Sequence, residues 1–532
     1  MHWRFEKRVR QGDGMEKNAY LKLEIACVAL AMCCCASAHA ENSMSYFAGD
    51  ASIKLEEIGS LKVRSSNQIK QSRFSIGFEC LDRKYFDPDR VYDKLAKTGV
   101  KYARCQTGWN RCETKKGVYD FAWLDSVVDN LRARGIEPWF NVGFGNKLYM
   151  PDAPEAAVGY CPINYGAEAL EAWKNYVGAL AKHFKGRVAG YELWNEPNIR
   201  NFWAPKKPDP KEYAKFVNIT AQEILKEDAN AKIGACVSGS MIEFTVDFFK
   251  AGGGKYLNFF SIHPYRTMSE IGHDAETKAM RAAFKKYEPG KDIELWNGES
   301  GFGSYFPPKH FLKTWHRGSE QNQSKWLLRR FVLDRAADYA VSSFFQCVDL
   351  PDTYSTAIGR QLPCKHGIIR AGDYTEKHAY YALSRICSVF DEHAATADIY
   401  AVGDLFDGFP QWQRVSRVTD ASIIIKTFTR NSYPLFAYWI PEDPQFDYDG
   451  LNGFRLSFLD FDRLTKNPVL IDMMTGRVFR CSSFSISKEG GTVRVSKLPI
   501  SNYPLLLTDF DAVKDIVVLN IPEKKLSPKG VK

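Results

Sequence analysis

The chain has 532 residues, 45% hydrophobic and 25% charged, which excludes a disordered or fibrous protein and is long enough for two or three domains. The formal net charge is +9, but basic pairs such as Lys206-Lys207 and Lys285-Lys286 are short and interspersed with acids. That pattern is a solvated surface and argues against a nucleic-acid partner.

At the N-terminus, Ile25 to Ser37 is an apolar run ending in Ala38-His39-Ala40. A short apolar run before a small-x-small site predicts a secretory signal peptide over residues 1–40 and a secreted or periplasmic protein. The run is too short for a membrane span, which needs about 20 apolar residues. An alternative start at Met15 sets Lys17 and Lys22 ahead of it. Cys33-Cys34-Cys35 allows a lipoprotein reading, which Met32 before the first Cys disfavours. Four of the 13 cysteines lie in this segment. Of the rest, Cys105 with Cys112, or Cys80 with Cys105, can pair in an oxidising compartment. Residues 41–72 form a lead-in that adds a strand to a later domain or caps a barrel floor.

From residue 73 to 390, short apolar runs alternate with amphipathic stretches. The runs are Phe74–Cys80, Tyr102–Gln106, Glu137–Val142, Gly190–Trp194, Lys232–Cys236, Phe259–His263, Asp292–Trp296 and Val341–Cys347. They suit parallel strands covered on both faces. Between them, Ala122–Arg134 places Leu124, Val127, Val128 and Leu131 on one helix face, with Gly135 as its stop. Ala167–Phe184 and Tyr213–Leu225 repeat the pattern. Eight such pairs predict an α/β fold, a (β/α)8 TIM barrel. Beyond it, residues 391–522 carry short Ile-, Thr-, Phe- and Tyr-rich runs such as Ser422–Phe428 and Pro434–Ile440, which predict a smaller antiparallel β-sandwich domain. Residues 523–532 read as a frayed tail.

Barrel enzymes set their chemistry at the C-terminal ends of the strands. The fourth strand runs into Trp194-Asn195-Glu196-Pro197 and the seventh into Asn297-Gly298-Glu299-Ser300. Strands four and seven lie across the barrel from one another, so Glu196 and Glu299 can meet. Two opposed carboxylates, one protonated and one ionised, are what glycosidic cleavage requires. Glu294 is a nearby rival, but alternation turns it from the mouth.

The segment Tyr191–Asn198 (YELWNEPN), followed by Phe202-Trp203, resembles the acid/base strand of clan A glycoside hydrolases. Within the clan it most resembles family 39, which contains β-xylosidases and α-L-iduronidases. Lys116–Phe121, Gly145–Tyr149 and Trp296–Gly301 are similar to the loops after strands two and three and to the nucleophile strand. The resemblance implies a retaining hydrolase of O-glycosidic bonds in a poly- or oligosaccharide, with no cofactor or metal. It implies Glu196 as acid/base, Glu299 as nucleophile, and Asn195 as partner of the sugar 2-hydroxyl. Arg104 would keep the nucleophile ionised, and His263 and Tyr265 would line the rim after strand six, with Tyr265 donating to Glu299. Where the clan often has an aromatic on strand eight, this chain has Phe344-Phe345-Gln346, and the Gly298–Gly301 wording is closer to other clan A families.

Each residue also has a plainer reading. Asn195-Glu196-Pro197 can open a helix, and Arg104 and His263 can be satisfied core groups. Trp109, Trp203 and Trp296 can be sugar platforms or core. A metal hydrolase needs close ligand spacing, which His183, His263 and His273 lack. The alternative function is a catalytically inactive carbohydrate-binding barrel. The sequence leaves the sugar, the mode of attack and the oligomeric state open.

Overall fold

A computed structural model describes residues 55–305, 318–351, 364–405, 423–444, 451–459, 467–481, 485–489 and 491–522. The signal segment, the start of the lead-in and the C-terminal tail lie outside the described residues. The first strand, β1 (Leu55–Leu61), precedes a closed parallel barrel of eight strands. These are β2 (Phe74–Gly77), β3 (Tyr102–Gln106), β4 (Glu137–Val142), β5 (Tyr191–Leu193), β6 (Ile233–Ser238), β7 (Phe259–His263), β8 (Glu294–Ser300) and β9 (Val341–Phe344). Closure runs through Phe74 paired with Ser342 and Ile76 with Phe344. Each expected apolar run holds one strand. The seventh begins later than expected and continues to Ser300, so Glu299 lies within it and Glu294 opens it at the floor, bonded to Lys232.

The helices follow their apolar spacing. Ala122–Ala133 buries Leu124, Val127, Val128 and Leu131, and Gly135, at φ +74°, turns the chain into β4. Pro210–Glu227 starts with Asp209 accepting from the backbone of Lys211 and Glu212, with Pro at its first position.

The barrel interior is layered. Its floor is aromatic: Trp139, Phe259 and Trp296 cluster with Val341, with Trp296 stacked on Phe259 at 3.9 Å between ring centroids. The next layer is polar and buried, with Arg104, Asn141, Glu192, Ser261 and Ser343. Aliphatic side chains usually fill this space in such barrels. Here a charged storey supports the mouth, and the Arg104 guanidinium sits over the Trp139 ring.

The C-terminal part forms two antiparallel sheets. One orders Ala394–Thr396, Ile424–Arg430, Tyr433–Trp439, Leu505–Asp509, Pro468–Asp472, Arg477–Cys481, β1 and Val517–Leu519. The other orders Ala401–Leu405, Leu451–Leu459, Thr492–Ile500 and Ser485–Glu489. Phe436, Tyr438, Leu470, Phe454 and Val495 fill the core between them. The lead-in therefore supplies a strand to this unit, and it also runs under the barrel, where Lys101 donates to the Ser66 carbonyl.

The helix Glu320–Ala336 is buried from Asn322 to Arg335 despite its charges, because the barrel takes one side and the sheets the other. Arg329 pairs with Glu270 of the loop after β7, and the Trp439 indole donates to the same carboxylate at 2.8 Å. The loop that carries Tyr265 is thereby anchored to the sandwich. Cys80, Cys105 and Cys112 are free and buried, so neither disulfide considered from the sequence forms. Among the described residues, no helix is long and apolar enough to cross a membrane.

Candidate active site

The C-terminal ends of β2, β3, β5, β7 and β8 converge on one cluster of charges. Arg104 on β3 is its hub. Its Nη1 donates to Glu299 Oε2 at 2.5 Å and to Glu79 Oε1 at 2.9 Å. Its Nε donates to Glu192 Oε1 at 3.1 Å and its Nη2 to Asn195 Oδ1 at 2.8 Å. The bond to Asn195 Oδ1 leaves the Asn195 amide nitrogen as the donor for a ligand. Tyr265 donates to the other oxygen of Glu299 at 2.8 Å. Both oxygens of Glu299 thus accept from strong donors, which fixes the carboxylate in place.

Glu196 approaches from β5. Backbone at Trp194 (φ +73°) and Glu196 (φ +46°) lies in the left-handed region, where a side chain costs about 1–3 kcal/mol and such strain gathers at functional sites. This bend turns the acid into the barrel axis. His263 Nδ1 lies 3.0 Å from Glu196 Oε1 and 3.8 Å from Glu299 Oε2. These three ligand atoms all fall within 4.8 Å of one another. The two carboxylate side chains keep 9% and 12% exposure, so a ligand from the mouth can reach both.

The glycine before Glu299 is required by space. A Cβ at Gly298 would stand 2.0 Å from Ser261 Oγ and 2.9 Å from Glu192 Oε2. Any larger residue would displace the polar layer beneath the nucleophile strand.

Burial and charge set Glu79 and Glu192 apart. Burial pushes the Glu79 carboxyl up to about 8, with Arg104 opposing and Glu299 adding to the rise. Burial acts in the same direction on Glu192, but Arg104 and His263 outweigh it and hold that carboxyl at about 2. Burial disfavours the His263 cation, yet Glu299 and the adjacent Glu192 and Glu196 push the imidazole up to about 10.

At neutral pH, then, Glu79 is protonated, Glu192 is ionised and His263 is cationic. Folded Glu79 and His263 hold protons that an unfolded chain, at the ordinary 4.5 and 6.5, would have released. Stability therefore falls as pH rises, between 4.5 and about 8 for Glu79 and between 6.5 and about 10 for His263. Glu192 has the opposite sign: its contribution is complete above 4.5 and is lost as pH falls through about 2. Thermal melts should show the midpoint declining from pH 5 to pH 9, and Glu79→Gln should flatten the part below pH 8. A variant whose decline runs parallel to the wild type would contradict this account.

The structure brings Glu196, Glu299, Arg104, Asn195, His263 and Tyr265 together. His263 needs correction as a ligand contact: it is 0% exposed and touches carboxylates instead. The three tryptophans also need correction. Trp109, Trp203 and Trp296 are 0%, 1% and 2% exposed. The Trp109 indole donates to Glu113, Trp203 packs on Tyr213, and Trp296 belongs to the floor, so none presents a face to a sugar. Just past β9, Phe345 is the half-buried aromatic, beside Tyr265 and His366, while Gln346 is sealed inside.

Two acids were missed as individual site residues. Glu79 lies just past the end of β2, as Glu196 lies just past the end of β5. Glu192 sits between outward-facing Tyr191 and Leu193, which alternation marks as inward.

Residues 89–294 match the model of Glycosyl hydrolases family 39. The barrel is family-39-like, and the matched stretch holds Arg104, Asn195, Glu196, His263 and Tyr265 but ends before Glu299. A β-xylosidase of Geobacillus stearothermophilus is 30% identical over 161 residues, 28% of this chain and 31% of that protein. The match thus spans under a third of that relative's length. A family 39 glycoside hydrolase from the gut symbiont Bacteroides cellulosilyticus WH2 superposes with a TM-score of 0.60 at 16% identity, covering 82% of this chain and 80% of that one. A GH30 endoxylanase from Clostridium papyrosolvens C71 gives 0.52 at 12% identity, with 85% and 100% covered. At these identities the two superpositions establish the shared fold.

Proposed function

We propose that this chain is a retaining glycoside hydrolase that cleaves O-glycosidic bonds of a poly- or oligosaccharide by double displacement. The observation that carries the reading is the short gap between the acids: the facing oxygens of Glu196 and Glu299 lie within 4.8 Å. Retaining enzymes hold their carboxyls about 5–5.5 Å apart, and inverting ones leave about 6.5–9.5 Å for a water molecule. The gap here leaves room for direct attack.

Glu299, fixed by Arg104 and Tyr265, attacks the anomeric carbon. The glycosidic bond breaks, and the leaving oxygen takes the proton of Glu196. Water then attacks the same carbon and gives its proton to Glu196, and Glu299 departs as carboxylate. The sugar keeps its configuration. Asn195 is placed to bond a sugar hydroxyl beside the acid.

The test is a panel of aryl glycosides followed by NMR, with wild type and Glu299→Gln. β-Xylosides head the panel because the Geobacillus relative is a β-xylosidase. The expected first product has the substrate's anomeric configuration, and Glu299→Gln is inactive. An inverted first product, or turnover by Glu299→Gln, would overturn the reading. Binding without turnover by wild type would favour the carbohydrate-binding alternative.

A further inference from the structure

Glu79 and Glu299 share one nitrogen. Arg104 Nη1 donates to Glu79 Oε1 at 2.9 Å and to Glu299 Oε2 at 2.5 Å. The second oxygen of each acid has a different partner. Glu299 Oε1 accepts from the Tyr265 hydroxyl at 2.8 Å, and Glu79 Oε2 accepts from the Gln106 amide at 3.1 Å. Arg83 fixes that amide by donating to its oxygen at 2.7 Å. Gly77 of β2 makes the approach possible, since a Cβ there would stand 2.9 Å from Glu79 Oε1.

The titratable groups facing Glu79 come from several elements. Cys80 follows β2, with Arg83 behind Gln106, and Arg104 and Cys105 lie on β3. His263 and Tyr265 come from β7 and the loop after it, and Glu299 from β8. Burial holds both thiols neutral. Two carboxylates on one guanidinium nitrogen repel, and the pair is eased when one of them keeps a proton. Depth decides which. The Glu79 side chain is 2% exposed and that of Glu299 is 12% exposed, and a charge that water cannot reach is the costlier one. A neutral acid also fits the bonds at Glu79, because its carbonyl oxygen accepts from Arg104 and its hydroxyl oxygen can still accept from Gln106.

We propose that Glu79 is a positioning residue: it stays a neutral acid in the working enzyme, keeps the proton of the pair off the nucleophile and leaves Arg104 Nη1 to Glu299. The inference rests on the role proposed above for Glu299. Burial, which pushes the Glu79 carboxyl up, supports it. Once Glu79 ionises, two anions compete for Nη1 while Glu192 holds the Nε side of the same guanidinium. Arg104 is then drawn toward the buried acid, and its hold on Glu299 and Asn195 loosens.

The experiment compares kcat/KM against pH for wild type, Glu79→Gln and Glu79→Leu. Glutamine keeps an oxygen facing Arg104 and cannot ionise. Its amide nitrogen cannot accept from Gln106, so its plateau is lower, and the reading is the change with pH. The ratio of Glu79→Gln to wild type should rise by about tenfold between pH 7 and pH 9, because only wild type loses a proton at this site while Glu196 titrates in both. At pH 6.5, Glu79→Leu, which offers Arg104 no oxygen, should fall about tenfold or more below Glu79→Gln. Infrared spectra of wild type should show a carboxylic-acid carbonyl band that fades as pH passes about 8 and is missing from Glu79→Gln. A ratio that stays flat with pH, equal rates for the two variants, or no difference in that band overturns the proposal. Failure of the hydrolase reading looks different: wild type would give an inverted product, or Glu299→Gln would turn over.

Discussion

Glu299→Ala should abolish turnover by on the order of 10⁴-fold or more, which is at least about 5.5 kcal/mol of barrier. Azide should then restore part of the rate and yield a glycosyl azide of inverted configuration. The variant removes the carboxylate oxygens that Arg104 Nη1 and Tyr265 jointly hold toward the mouth. It leaves their donors around a small cavity that suits an anion. Azide bound there attacks from the face that Glu299 used, in one displacement. Glu196→Ala should respond differently, since azide would act on the glycosyl-enzyme from the opposite face and give the retained azide. Near-normal rates for Glu299→Ala would remove the nucleophile assignment, and identical azide products from both variants would remove the division of labour.

Arg104→Met should be the most damaging substitution outside the reacting pair. The guanidinium contacts Glu79, Glu192, Asn195 and Glu299 and is itself fully buried. Methionine fills much of the volume but leaves ionised Glu192 with the neutral Asn141 amide and the more distant His263. Breaking a buried pair by deleting one partner costs about 3–5 kcal/mol, so the urea midpoint should fall accordingly. Activity should fall on the order of 10²-fold or more, since Glu299 loses its charge-assisted bond and Asn195 its orientation. Adding Glu192→Gln should recover stability, because the stranded charge is gone, but should not recover kcat. Wild-type stability in the single variant would show that the polar layer does not depend on Arg104.

The barrel was legible because burial writes itself into local spacing. Leu124, Val127, Val128 and Leu131 define a helix face, and Tyr191 and Leu193 flank an inward Glu192, whatever else surrounds them. The strand-end rule likewise picked Glu196 and Glu299, and applied to Phe78-Glu79-Cys80 it would have found Glu79. Tryptophan carries no such mark. Trp109, Trp203 and Trp296 can stack on a sugar or on a neighbouring ring, and only the contacts with Tyr149, Tyr213 and Phe259 decide. The helix Glu320–Ala336 was equally opaque: Arg329 is buried against Glu270, and Asp334 against His273 and Asn297, residues distant in the chain.

By itself, then, the sequence determined the eight strands, the antiparallel character of the C-terminal part and the identity of the two facing acids. These depend on the period of side chains along a strand or helix, a property of neighbouring residues. Only the tertiary structure decided that His263 bridges the acids, that Arg104 gathers three carboxylates, and that the sandwich anchors the Tyr265 loop. Those arrangements join residues as far apart as Arg104 and Glu299. Their electrostatics depend on a distance of a few ångströms and on the exclusion of water, and neither exists until the barrel closes.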